Sequence, residues 1–83
     1  MKIKYFAWVR ERVGKTEETL EPPADIRTVG ELIGWLAGRG DGYAYAFEVP
    51  GVIRAAIDQT HVKPEASIAG AHEVALFPPM TGG

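Results

Sequence analysis

The chain has 83 residues, enough for one domain whose small core covers somewhat over ~60% of the surface its unfolded form exposes. Hydrophobic residues make up 46% and charged residues 24%, a globular balance, and the absence of cysteine excludes disulfide staples, thiolate nucleophiles and thiolate metal ligands. A formal net charge of −2 without any basic run argues against nucleic acid, and no apolar stretch nears the ~20 residues of a membrane span, so a cytoplasmic protein is expected.

Residues 2–9 (KIKYFAWV) alternate with the two-residue period of a strand. Ile3, Tyr5, Ala7 and Val9 form the better core face. Lys2, Lys4, Phe6 and Trp8 form the other, where two large aromatics lie among lysines. Arg10-Glu11-Arg12 reads as a solvated charged turn leading through Gly14 to a second strand at 16–20 (TEETL), which Pro22-Pro23 ends. The spacing suits a hairpin with a loose connection.

Thr28 opens the one clear helix. Thr28-Val29-Gly30-Glu31 matches a capping box, and Val29, Leu32, Ile33 and Leu36 follow as an apolar stripe that must lie on a sheet. Arg39 and Gly40 are expected to close it. Gly30, Gly34 and Gly38 fall four apart, which reads as close packing of this helix on the sheet.

Residues 41–49 (DGYAYAFEV) fit a strand or a short helix, and pattern does not decide between them. Pro50-Gly51 marks a turn. Residues 52–57 (VIRAAI) place Ile53, Ala55 and Ile57 on one side of a strand, His61-Val62-Lys63 suits a short edge strand, and Glu73–Phe77 forms the last strand. The fold class is α+β, a mixed sheet with one main helix packed across it. Residues 1–79 are expected to form the domain and 80–83 a flexible tail.

That tail is the most informative segment: Pro78-Pro79-Met80-Thr81-Gly82-Gly83. Two prolines stop a strand and favour extended backbone, and four further residues reach at most ~14 Å. A diglycine has no side chains, so it fits a narrow channel and leaves the Gly83 carboxyl carbon open to attack. An ionised α-carboxylate is a poor acyl donor and needs activation, normally by a nucleotide. The chain has no glycine-rich phosphate loop, so activation is assigned to a partner. His61 and His72 lack the further ligands a metal site needs, and Ser67, the only serine, has no triad motif around it.

The run Glu73–Gly83, with Val9-Arg10-Glu11 and Ala56-Ile57-Asp58-Gln59-Thr60 followed by Val62, resembles the small sulfur-carrier subunits of molybdopterin synthase. These belong to the MoaD/ThiS family of ubiquitin-like proteins with the β-grasp fold. The resemblance implies that an adenylyltransferase uses ATP to activate Gly83, adjacent to Gly82, and that sulfur then converts it to a thiocarboxylate. The chain itself would bind no cofactor. The tail would enter the synthase large subunit and pass its sulfur to a cyclic pyranopterin precursor. The same resemblance places Phe6, His61, Phe77, Pro78, Pro79, Met80 and Thr81 against that partner and favours a helix over 42–48; the strand alternation is expected to add Trp8, on the side of Phe6, to them. Against the family pattern, Ala69-Gly70-Ala71-His72 replaces an acidic turn, Asp58 stands where asparagine is frequent, and His61 where an apolar residue is common. The same diglycine chemistry would serve a ubiquitin-like protein modifier or a carrier for another thio-cofactor such as thiamine.

Overall fold

A computed structural model describes residues 1–79. Five strands build one sheet: β1 (Lys2–Tyr5), β2 (Glu17–Thr19), β3 (Arg54–Ile57), β4 (Thr60–Val62) and β5 (Glu73–Phe77). Their order is β2-β1-β5-β3-β4. The central pair β1 and β5 runs parallel and the other pairs are antiparallel, so the sheet is mixed, as expected. Three helices, α1 (Ala7–Val13), α2 (Val29–Ala37) and α3 (Asp41–Ala46), accompany it.

The strand expected over 2–9 stops at Tyr5. Phe6 keeps extended backbone (φ −130°), but Ala7 turns to φ +52°, and α1 follows. Val9 still reaches the core, now from a helix, and Val13 packs against the core one turn later. Arg10, Glu11 and Arg12 therefore lie in α1 and are not a turn. Gly14, at φ +85°, ends the helix in the left-handed region, with its N–H donating to the Arg10 carbonyl at 2.8 Å. β1 and β2 pair antiparallel, as expected, but a helix stands between them in place of a loose link.

α2 forms where the capping box predicts. The Thr28 hydroxyl accepts from the Glu31 N–H at 3.1 Å, and the Glu31 carboxylate accepts from the Thr28 N–H at 3.2 Å and the Arg27 N–H at 2.7 Å. Val29, Leu32, Ile33 and Leu36 are buried against Ile3, Tyr5, Val74 and Leu76 of the sheet. The helix ends at Ala37 with Gly38 as its cap, two residues before the expected Gly40. The glycine spacing has no packing role on the sheet: a Cβ at Gly34 would meet open space, and one at Gly30 would touch the Pro64 backbone.

The ambiguous segment 41–49 is helical over Asp41–Ala46, because Tyr43, Ala46 and the following Phe47 bury one face. Gly42 permits this helix to approach α1, since a Cβ there would lie 2.7 Å from the Arg12 carbonyl oxygen. Arg12 fastens the same contact. Its guanidinium lies 4.4 Å from the Trp8 ring centre and 3.9 Å from that of Tyr45, and it donates to the Tyr45 carbonyl at 3.3 Å.

Candidate functional site

Strand alternation divides the sheet into a covered face and an open one. Ile3, Tyr5, Glu18, Ala55, Val74 and Leu76 face the helices. Lys2, Lys4, Glu17, Glu73, Ala75, Phe77, Arg54, Ala56 and His61 follow the opposite phase and share the outer face. That outer face has two halves. On one side, Lys2–Glu17 at 3.4 Å and Lys4–Glu73 at 3.2 Å form ion pairs. Towards the end of β5 the face becomes aromatic.

The aromatic half is organised by small residues. His61 sits opposite Ala56, which in turn sits opposite Ala75, while Phe77 pairs with Arg54. β4 and β5 are separated by β3, so their backbones lie ~9.6 Å apart. The His61 and Phe77 rings meet across β3 on the diagonal between Arg54 and Ala56, where the small Ala56 leaves room, edge-to-face with centroids 5.4 Å apart. Beneath these rings Ala56 and Ala75 are buried although no helix covers them. Phe6 continues the alternation of β1. Its N–H donates to the Leu76 carbonyl at 3.1 Å, and the parallel register Tyr5↔Leu76 brings it level with Phe77. It is 43% exposed.

The structure thus gathers Phe6, His61 and Phe77 on one open face, with the half-buried Pro78 and Pro79 directly after β5. Met80, Thr81, Gly82 and Gly83 lie outside the described residues. Trp8 does not join this face. The turn at Ala7 carries it into α1, where it is half-buried under Arg12. Arg54 belongs to the face and was not singled out. Its signal was present, because a strand with Ile53, Ala55 and Ile57 inward directs Arg54 outward.

Two polar anchors hold the frame. Asp58 and Gln59 both adopt positive φ (47° and 72°) in the β3–β4 turn. From there Asp58 Oδ1 accepts the N–H groups of His72 and Glu73 at 3.1 and 2.9 Å, fixing the start of β5. On the covered side, Glu18 Oε2 accepts from the Tyr5 hydroxyl at 2.8 Å and the Tyr43 hydroxyl at 2.6 Å, and Oε1 from Lys15 Nζ at 3.2 Å. Burial raises the affinity of this carboxyl for its proton. The hydrogen bonds from Tyr43, Tyr5 and Lys15 and the Lys15 charge together outweigh it, holding Glu18 below the ordinary glutamate value. Burial, then the Glu18 hydrogen bond and charge, push the Tyr5 phenol well above the ordinary tyrosine range. Both groups serve the fold and lie away from the open face.

No group of three or more His, Cys, Asp or Glu among the described residues is arranged to hold a metal ion. No helix among them is long and apolar enough to cross a membrane.

A mixed five-stranded sheet grasping a helix, with one face left open, defines a ubiquitin-like β-grasp domain. The chain belongs to the ThiS family, whose model matches residues 3–83. It is 43% identical to the molybdopterin synthase sulfur carrier subunit of Escherichia coli over all 83 residues and 99% of that protein. It is 36% identical to the subunit of the same name from Haemophilus influenzae, over the same shares of both chains. Among solved structures, small archaeal modifier protein 1 of Haloferax volcanii matches with a TM-score of 0.71 at 25% identity, covering 96% of this chain and 97% of that one. A putative molybdopterin converting factor, subunit 1, from Pyrococcus furiosus matches with a TM-score of 0.70 at 25% identity and 95% coverage of both chains.

Proposed function

We propose that this chain is the sulfur-carrier small subunit of molybdopterin synthase, with the Gly83 carboxylate as its reactive group. The observation that carries the reading is the exit of the chain from central strand β5 beside an uncovered aromatic face, in a sequence matching named sulfur carrier subunits end to end. A partner adenylyltransferase would join the Gly83 carboxylate to the AMP portion of ATP, releasing pyrophosphate. A sulfur nucleophile would displace AMP and leave a thiocarboxylate. Transfer of that sulfur to a cyclic pyranopterin precursor, with water returning the oxygen, restores the carboxylate. This chain supplies the carrier and the docking face, while nucleotide and precursor chemistry belong to its partners. The large subunit is the natural occupant of the face formed by Phe6, His61 and Phe77, with Pro78 to Thr81 leading Gly82 and Gly83 into its active site.

The test is a one-residue extension after Gly83. In a reconstituted reaction with the activating enzyme, ATP, a sulfide source, the large subunit and precursor, the extended chain should fold normally and form no dithiolene product. Full activity of the extended chain would overturn the assignment of Gly83.

The likeness to an archaeal modifier protein supports a second reading, in which the same activated glycine forms isopeptide bonds with lysines. A ladder of covalent conjugates on a denaturing gel distinguishes it.

A further inference from the structure

The aromatic half of the open face carries one histidine, set opposite Ala56 and against Phe77. His61 is exposed and sets its ring against Phe77, and no carboxylate among the described residues forms an ion pair with it. The charged groups on the strands packed beside it offer no compensation. Arg54 on β3 lies opposite Phe77, and Lys63 follows β4; neither has an ion pair among the described residues. Glu73 on β5 is held by Lys4 of β1, and the Asp58 carboxylate of the β3–β4 turn accepts two backbone N–H groups. A proton on His61 therefore adds a third positive charge without an ion pair among the described residues, beside Arg54 and Lys63, to a surface whose remaining groups there are Phe6, Phe77, Ala56 and Ala75.

We propose that His61 makes docking of this face proton-dependent: the neutral imidazole is buried against the partner, and the imidazolium opposes association. The proposal rests on the reading that the face receives the synthase large subunit. Burying an unpaired cation among Phe6, Phe77, Ala56 and Ala75 costs far more than burying a neutral ring of the same shape. If the imidazole must be neutral in the complex, binding weakens as pH falls from about 7.5 to about 5.5, the span in which histidine side chains can gain a proton.

Calorimetric titration of the full chain into the large subunit across this range tests it, using wild type, His61→Leu and His61→Gln. His61 is exposed on an edge strand, so both variants should keep the fold, which thermal melting verifies. Wild type should lose more affinity than either variant on acidification, because groups on the large subunit affect all three alike. A wild-type pH profile parallel to those of both variants overturns the inference, as does tighter wild-type binding at low pH, which would reveal a carboxylate on the partner. Absence of binding by all three at about pH 7.5 would instead remove the docking reading itself, and the inference with it.

Discussion

Replacing Glu18 with alanine isolates a polar cluster that ties the β1–β2 pair to α3. The change leaves the Tyr5 hydroxyl, on a side chain fully shielded from solvent, and the Tyr43 hydroxyl without their common acceptor. A hydrogen bond to a charged group contributes ~1.5–3 kcal/mol, and two that share one oxygen do not add in full, so the expected loss is ~3 kcal/mol. In a domain this small that lowers Tm by roughly 12–24 °C. Glu18→Gln keeps an acceptor but not the charge and should lose ~1 kcal/mol. The pH dependence has a defined sign. Glu18 is held below its ordinary value when folded, so its contribution is complete above the unfolded value of ~4.3 and disappears as pH falls through the folded value. Urea denaturation of wild type and both variants at neutral and acid pH measures this. The gap between wild type and Glu18→Gln should close in acid. An alanine variant within ~1 kcal/mol of wild type, or a gap indifferent to pH, would show that the cluster does not couple the β1–β2 pair to α3.

Three other outcomes follow from single positions. Ala7 holds φ +52°, a conformation costing a non-glycine residue ~1 kcal/mol, so Ala7→Gly should raise stability by up to that amount in thermal melts despite the looser unfolded chain. Asp58→Ala frees two backbone N–H groups at the start of β5 and should cost ~1–2 kcal/mol, whereas Asp58→Asn, which keeps an acceptor oxygen, should cost less than half of that. Phe77→Asp places a carboxylate in the middle of the open aromatic face; it should weaken large-subunit binding at least 100-fold while shifting Tm by only a few degrees, by calorimetry and melting respectively.

The sheet was legible because its strands are short alternating runs ended by prolines or turns, and α2 because a capping box precedes a regular apolar stripe. The segment from Phe6 to Val13 was not, for a physical reason. Alternation in KIKYFAWV continues past the true strand end, so Val9 satisfies the strand period while also standing four residues before Val13. The spacing of Val9 and Val13 with Gly14 behind them was the available sign of a short helix. What no pattern revealed was the left-handed turn at alanine, which places Phe6 on the open face and sends Trp8 under Arg12. The positions of Phe6, His61 and Phe77 came from resemblance; their meeting depends on register across β3 and on the smallness of Ala56, relations between strands that a single sequence does not display. Glu18 escaped notice because its partners Tyr5 and Tyr43 are 13 and 25 residues away.

Sulfur carriage on the Gly83 carboxylate, as proposed above, has a direct signature in mass. Intact-mass and C-terminal peptide spectrometry of the protein, co-expressed with an adenylyltransferase and a sulfur source, measures it directly. The expected result is a fraction in which one oxygen of the Gly83 carboxylate is replaced by sulfur and which reverts on incubation with the large subunit and precursor. A Gly83 that stays an unmodified carboxylate while dithiolene product accumulates would contradict it.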